Sequence, residues 1–227
     1  MTRPARTPQI AAMFDRIAAR YDLMNRLMTA GMDGRWRRAT VQALGLRPGD
    51  RVLDLGSGTG DLAVELLRAG AGRVVGADVA AVMLRRGAAK AQEMAPVLAD
   101  GQRLPFRDGA FDAAATAFTL RNIPDLPAAL AEVRRVLRPG GRFAALDLTR
   151  PRPTPAARLF RLYTDRLLPL LGGAVSGDAA AYRYLPASVA RFLSAAELRQ
   201  ALLDAGFARA SARRLAPGEV TLLLANI

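Results

Sequence analysis

The sequence has no cysteine and no histidine. The first absence excludes disulfides and thiolate chemistry; the second removes the commonest metal ligand and the commonest general base, and no metal site is expected. Catalysis must then draw on carboxylates, tyrosines, arginines or a cofactor that is reactive in itself. Lysine is almost missing: Lys90 stands alone among 33 basic residues, and against 20 acidic residues the formal charge is +13. Such an excess invites nucleic acid or an anionic membrane surface, whereas the even scatter of the arginines better fits compositional bias spread over helix surfaces. Aromatic residues make up 6% of the chain, too few for the stacking platform of a nucleic-acid module. No 18 apolar residues run uninterrupted and the first eight carry no signal-peptide core, so a cytoplasmic protein is expected. The 227 residues suffice for one α/β domain with a full core.

What is present centres on one stretch. Val52-Leu53-Asp54-Leu55 reads as a buried strand, Gly56-Ser57-Gly58-Thr59-Gly60 as a turn with alternating glycines, and residues 62–67 as the start of a helix. This arrangement puts the turn at the carboxyl edge of a parallel sheet, where open α/β sheets bind ligands. The glycines clear Cβ atoms from a backbone that a ligand approaches, and Asp78, 20 residues beyond Gly58, ends a second strand within reach of a ribose hydroxyl. A purely structural turn is the alternative, but strand, helix and acid in register favour a nucleoside. A dinucleotide does not fit: the GxGxxG pattern would need glycine where Asp61 or Ala63 stands, and Asp61 at the helix start repels a pyrophosphate. With Asp54 it offers two carboxylates, which suit an ammonium or sulfonium centre.

The stretch resembles motif I of the class I S-adenosylmethionine-dependent methyltransferases, which implies S-adenosylmethionine as cofactor. The expected cofactor-binding residues are Asp54, Gly56, Gly58, Thr59, Gly60, Asp78, Met83, Asp100, Gly101 and Ala117. Asp78 takes the ribose and Met83 lies beside the adenine. Asp100, ending a third strand over residues 96–100, accepts from the adenine amine, with Gly101 letting the ring lie close. Leu104-Pro105-Phe106 and Phe111-Asp112 match the approach to strand four in the same superfamily.

Four further segments narrow the resemblance. Phe14-Asp15-Arg16-Ile17-Ala18 and Tyr21-Asp22-Leu23-Met24-Asn25, continuing to Trp36, resemble the N-terminal signature of the ubiquinone/menaquinone biosynthesis C-methyltransferases, with Thr29 for a usual serine and Asp33 for a usual histidine. Leu120-Arg121-Asn122 after strand four matches that family, with Thr119 for its glycine. The run from Arg135 to Gly141 and then Asp147-Leu148-Thr149 resembles its second signature, Arg138, Asp147 and Thr149 replacing Lys, Glu and Ser. Ala181-Tyr182-Arg183-Tyr184-Leu185-Pro186 is similar again. The resemblance implies methyl transfer to a ring carbon of a prenylated hydroquinone, a demethylmenaquinol first and a ubiquinol precursor next. Arg121 and Asn122 are the expected catalytic pair, Arg121 stabilising a developing phenolate and Asn122 orienting the ring or a water. Tyr21, Asn25, Tyr182, Arg183 and Tyr184 are the expected substrate residues.

The expected fold is α/β, a Rossmann-like, doubly wound, seven-stranded and mostly parallel sheet. Its parts are an N-terminal helical lid (1–45), a cofactor-binding core (46–150), a substrate-covering helical insertion (151–190) and a closing helix with two strands (191–227). In the lid Phe14, Ile17, Tyr21, Met24 and Met28 form one helical stripe, read either as packing on the domain or as cover for an apolar substrate. Arg35-Trp36-Arg37-Arg38 reads as a docked helix end, with membrane contact as the alternative. That stripe and an apolar helix at 156–171 are the expected lining for a prenyl tail. Ser194 and Glu197 form a capping box for the closing helix. Expected partners are the quinol and, transiently, the inner face of the membrane, with no nucleic acid and a homodimer left open. Competing readings are another small phenolic acceptor, a nucleic-acid-binding protein or nucleic-acid methyltransferase, and a cofactor-binding protein without catalysis.

Overall fold

A computed structural model describes residues 7–151, 179–215 and 219–227, with side chains from residue 184 onward in the second segment. Three helices come first: α1 (Thr7–Ile17), α2 (Tyr21–Thr29) and α3 (Met32–Leu44). Strands and helices then alternate: β1 (Arg51–Leu55), α4 (Asp61–Arg68), β2 (Arg73–Asp78), α5 (Ala81–Lys90), β3 (Met94–Leu98), β4 (Phe111–Ala117), a 3-10 turn (Leu120–Asn122), α6 (Leu126–Val136) and β5 (Leu137–Leu148). The chain closes with α7 (Ala179–Arg191), α8 (Ala195–Asp204), β6 (Arg209–Leu215) and β7 (Val220–Asn226). The seven strands lie in the order β3-β2-β1-β4-β5-β7-β6. All neighbours are parallel except β7, which is antiparallel to β5 and β6. The chain reverses its winding between β1 and β4, so the carboxyl ends of those strands flank the crevice where ligands of doubly wound sheets bind.

The central strands are buried on both faces, as their apolar runs require. One side packs Leu53, Leu55, Ala114 and Phe143 against α6 and α8. The other packs Val52, Val74, Ala113 and Ala144 against α3, α4 and α5. The capping box is present, Ser194 Oγ accepting from the Glu197 N–H while the Glu197 carboxylate accepts from that of Ser194. Among the described residues no helix is long and apolar enough to cross a membrane.

Two local expectations shift. The N-terminal stripe is carried by two helices, because the chain turns at Ala18-Ala19-Arg20 between α1 and α2. Its periodicity survives the break because both helices pack on one cluster, Ile17 and Met24 with Ala80 and Met83 of the α5 start. The third strand runs from Met94 to Leu98, pairing Val74 with Met94 and Asp78 with Leu98, two residues earlier than expected. Pro96 is tolerated because β3 is an edge strand. Asp100 therefore falls in a turn beyond the strand, bridged to Arg103. The helix expected at 156–171 lies outside the described residues.

Candidate active site

The three glycines of the β1–α4 turn have backbone φ values of 67°, 52° and 81°, and each answers to a different neighbour. A Cβ on Gly56 would lie 2.3 Å from the Thr119 side chain, so this glycine accommodates the residue that replaces the family's usual one. A Cβ on Gly60 would lie 2.8 Å from the carbonyl oxygen of Gly87, and this pair lets α4 and α5 meet backbone to backbone. Only Gly58 faces open space. The room for a ligand is therefore over Gly58, and Gly60 serves helix packing.

Asp78 holds this turn in shape. Its Oδ2 accepts from the Gly58 N–H at 2.8 Å and its Oδ1 from the Ala80 N–H at 2.8 Å. Burial raises its pKa above the usual carboxylate range, the backbone donors opposing. Asp54 lies deeper, on β1 behind the turn, fully buried and with no hydrogen-bond partner for either carboxylate oxygen. Burial first, and the charge of Asp78 second, push its pKa up to about 7, while Arg37 pulls the other way. The Asp61 charge is already engaged, 2.7 Å from Lys90 Nζ and 3.9 Å from Arg37.

A cleft opens above the turn. The structure brings Gly56, Gly58, Asp78, Met83, Asp100, Gly101 and Ala117 to its walls together with Tyr21 and Asn122, and Ile10 and Phe14 of α1 close it from above. Gln102 was not anticipated. Its amide donates to the Asp100 carboxylate at 2.9 Å and to Thr7 Oγ1 at 3.0 Å, and its carbonyl accepts from the Asp125 N–H, so it ties the lid to the cleft floor. Thr59 lines a smaller hollow beside the cleft with Tyr21, Arg37 and Asp61, its hydroxyl donating to Asp22 at 2.5 Å. The other Asp22 oxygen accepts from Lys90, so the chain's single lysine joins α2 to α4 and α5. Asp15 caps α5 from α1, accepting from the Val82 N–H at 2.7 Å. Asn25 lines neither space; its carbonyl accepts from Thr29 Oγ1.

At the far wall Arg121 is nearly buried and held by three contacts. Its Nη1 donates to Asp147 Oδ1 at 2.6 Å and to the Phe118 carbonyl at 2.6 Å, and its backbone N–H donates to the other Asp147 oxygen at 3.2 Å. Burial raises the pKa of Asp147, with the Arg121 guanidinium opposing. Phe118 has φ 61°, rare for a residue with a side chain, and its carbonyl also accepts from the Asn122 amide at 3.1 Å. Its ring packs edge-on against Trp36, with the guanidinium carbons of Arg37 and Arg121 at 5.3 and 5.9 Å from its centroid. Two polar atoms here have no partner: Arg121 Nε and Asn122 Oδ1. One is a donor and one an acceptor, as a ring hydroxyl in its two protonation states requires.

Tyr184, on α7, lines an adjoining cleft with Arg121 and Asn122; burial raises its pKa, and Arg121 opposes the shift. Tyr182 and Arg183 fall within α7, and their side chains lie outside the described residues. Arg37, Phe118, Gln102 and Asp147 were missed as site residues. The sequence marked Arg37 only as part of a basic cluster, in which Trp36 and Arg37 are buried while Arg35 and Arg38 are exposed. Arg37 reaches Asp33 Oδ2 at 2.6 Å, so the residue that replaces the usual histidine orients a buried cation. The arginine excess is engaged internally elsewhere too, Arg135, Arg138, Arg142, Arg150 and Arg214 each pairing with a carboxylate.

These residues fit S-adenosylmethionine. There is open backbone at Gly58, a carboxylate at the end of β2, a buried unpaired carboxylate behind the turn that a cation would stabilise, and an α4 N-terminus already filled by the chain's own aspartate. The comparisons agree. A demethylmenaquinone methyltransferase of Thermus thermophilus is 46% identical over 200 residues, 86% of this chain and 91% of that protein. A ubiquinone/menaquinone biosynthesis C-methyltransferase of Teredinibacter turnerae is 38% identical over 94% of this chain and 89% of its own length. The crystal structure of a SAM-dependent methyltransferase from Thermotoga maritima superposes with a TM-score of 0.68 at 20% identity, over 96% of this chain and 99% of that one, which supports the fold alone. The family model described as the ubiE/COQ5 methyltransferase family matches residues 2–225, and the chain belongs to that family.

Proposed function

We propose that this enzyme transfers a methyl group from S-adenosylmethionine to a ring carbon of a prenylated hydroquinone in quinone biosynthesis, and that the hydroquinone is a demethylmenaquinol. The relatives named for demethylmenaquinone favour that acceptor, and those named for both quinones make a ubiquinol precursor the second choice. The observation that carries the reading is the pair of unpartnered buried atoms, Arg121 Nε and Asn122 Oδ1, on adjacent residues of which Asn122 lines the cofactor cleft and both line its neighbour.

When bound, the cofactor supplies an electrophilic methyl on a sulfonium centre. The chain's own work is to align the acceptor and to raise the electron density of its ring. Asp78, Met83 and Asp100 line the cofactor cleft, which supports their reading as partners of the ribose hydroxyls, the adenine face and the exocyclic amine. Asn122 Oδ1 accepts from the ring hydroxyl, and Arg121, held by Asp147 and the Phe118 carbonyl, donates to the oxygen as charge develops on it. The guanidinium is the electrostatic partner of that oxygen and not its base. Asp22 is committed to Thr59 and Lys90, and the proton leaves through solvent or a tyrosine, of which Tyr21 and Tyr184 line the two clefts.

The expected division of the chain carries over to this reading: a lid over residues 1–45, a cofactor core over 46–150, a covering segment over 151–190 and a closing unit over 191–227. α2 exposes Leu23 and Leu27 on its outer face, 53% and 55% accessible, beside exposed Arg20 and Arg26. That is the chemistry of a transient contact between a cytoplasmic enzyme and an anionic bilayer, where a prenylated acceptor resides. The test is turnover with methyl-labelled cofactor against prenylated naphthoquinols, benzoquinols and unrelated phenols. Transfer to the naphthoquinols is expected, and transfer confined to unrelated phenols overturns the reading.

A further inference from the structure

A second cleft, about 530 Å³, lies between α1, α6, α7 and α8. It meets the cofactor cleft at one wall, where Ile10, Asn122, Ile123 and Pro124 line both. At that junction stand the unpartnered Arg121 Nε and Asn122 Oδ1. Away from it the lining is mostly apolar, with Leu126, Phe192, Leu193 and Ala201, interrupted by Ser188 and Arg191. Leu126, Leu193 and Ala201 are only partly buried against the main core, so each leaves apolar surface turned outward from it. Of the N-terminal stripe, Ile17 and Met24 are buried with Ala80 and Met83 of α5, while Phe14 and Tyr21 line the cofactor cleft.

We propose that this cleft is the seat of the acceptor's isoprenoid tail. The tail leaves the ring at Arg121 and Asn122 and runs out between α6 and the α7–α8 pair. The inference rests on the acceptor reading above and adds the course of the tail to it. An aromatic ring at the junction fills a small part of the space. What remains is walled mainly by apolar side chains, which suits a flexible hydrocarbon chain. Ala201, on α8, and Leu126, at the start of α6, then decide how much of the tail is enclosed.

The test is equilibrium binding of geranylgeraniol, a tail without a ring, to the cofactor-loaded protein, below the concentration at which the alcohol aggregates. Wild type is expected to bind it. Ala201→Phe, which fills the cleft, and Leu126→Asn, which makes its wall polar with little change in volume, are each expected to weaken binding by about tenfold, since each removes apolar contact with several methylenes. Cofactor affinity measured on the same samples reports that the variants are folded. No binding by wild type, or equal binding by wild type and the folded variants, overturns the assignment. Turnover of a quinol carrying the same geranylgeranyl tail separates this from the parent reading. No transfer to it while the alcohol still binds the cleft contradicts the quinol reading and leaves the tail site standing.

Discussion

Replacing Arg121 tests the two roles proposed for one side chain, and a pair of variants separates them. Arg121 and Asp147 form an ion pair with side chains 8% and 0% exposed, and the carboxylate has no alternative cation at hydrogen-bond distance among the described residues. Arg121→Ala strands a buried charge, which costs about 3–5 kcal/mol of stability. The combined variant Arg121→Met with Asp147→Leu removes both charges and keeps apolar volume, so it should fold within about 1 kcal/mol of wild type or become more stable. The assay is urea unfolding followed by circular dichroism, with cofactor binding and methyl transfer measured on the same preparations. The expected outcome is a folded, cofactor-binding double variant whose methyl transfer falls by about 100-fold or more, the scale of losing one donor to a developing oxyanion. An Arg121→Ala protein as stable as wild type would show that the pair is solvated. A double variant with wild-type turnover would show that Arg121 only holds the fold together.

Three other outcomes follow from the geometry. Asp54 binds its proton more tightly folded than unfolded, so between the unfolded pKa of 3.8 and the folded value of about 7 the native state holds the extra proton and stability falls as pH rises. Asp54→Asn should flatten that slope and gain up to about 4 kcal/mol at pH 8 without cofactor, measured by urea unfolding at several pH values; an unchanged slope refutes the assignment. Gly60→Ala should cost about 1–3 kcal/mol by thermal unfolding, because its methyl would meet the Gly87 backbone, and a neutral result would mean that α4 and α5 separate easily. Lys90→Met should loosen α2 and speed cofactor release a few-fold at low salt in stopped-flow experiments, an effect expected to shrink at high salt because the bridges to Asp22 and Asp61 are partly exposed.

Much of the fold was legible because its signals are local. The strand, glycine turn and helix around Gly58, the acid 20 residues on, the capping box at Ser194 and the two closing strands follow from periodicity, glycine placement and side-chain caps that need no tertiary information. The break between α1 and α2 was not legible, since both helices feed the same apolar cluster and so preserve one period across the turn. The register of β3 is set by its ladder with β2, which sequence alone does not contain. The site divides in the same way. Asp78 announced itself through spacing, whereas Arg37, Phe118 and Asp147 acquire their roles from contacts between segments distant in the chain. Asp147 looked like a conservative replacement in a signature, yet it is the counter-ion that fixes Arg121.

The most direct measurement is the position of the transferred carbon. Incubation with cofactor carrying a ¹³C methyl and with a demethylmenaquinol, followed by NMR of the purified product, distinguishes a methyl on a ring carbon from one on oxygen. The account predicts a single ring-bound methyl resonance that disappears in the Arg121→Met, Asp147→Leu protein. A methoxyl resonance, or equal ring methylation by that variant, would contradict it.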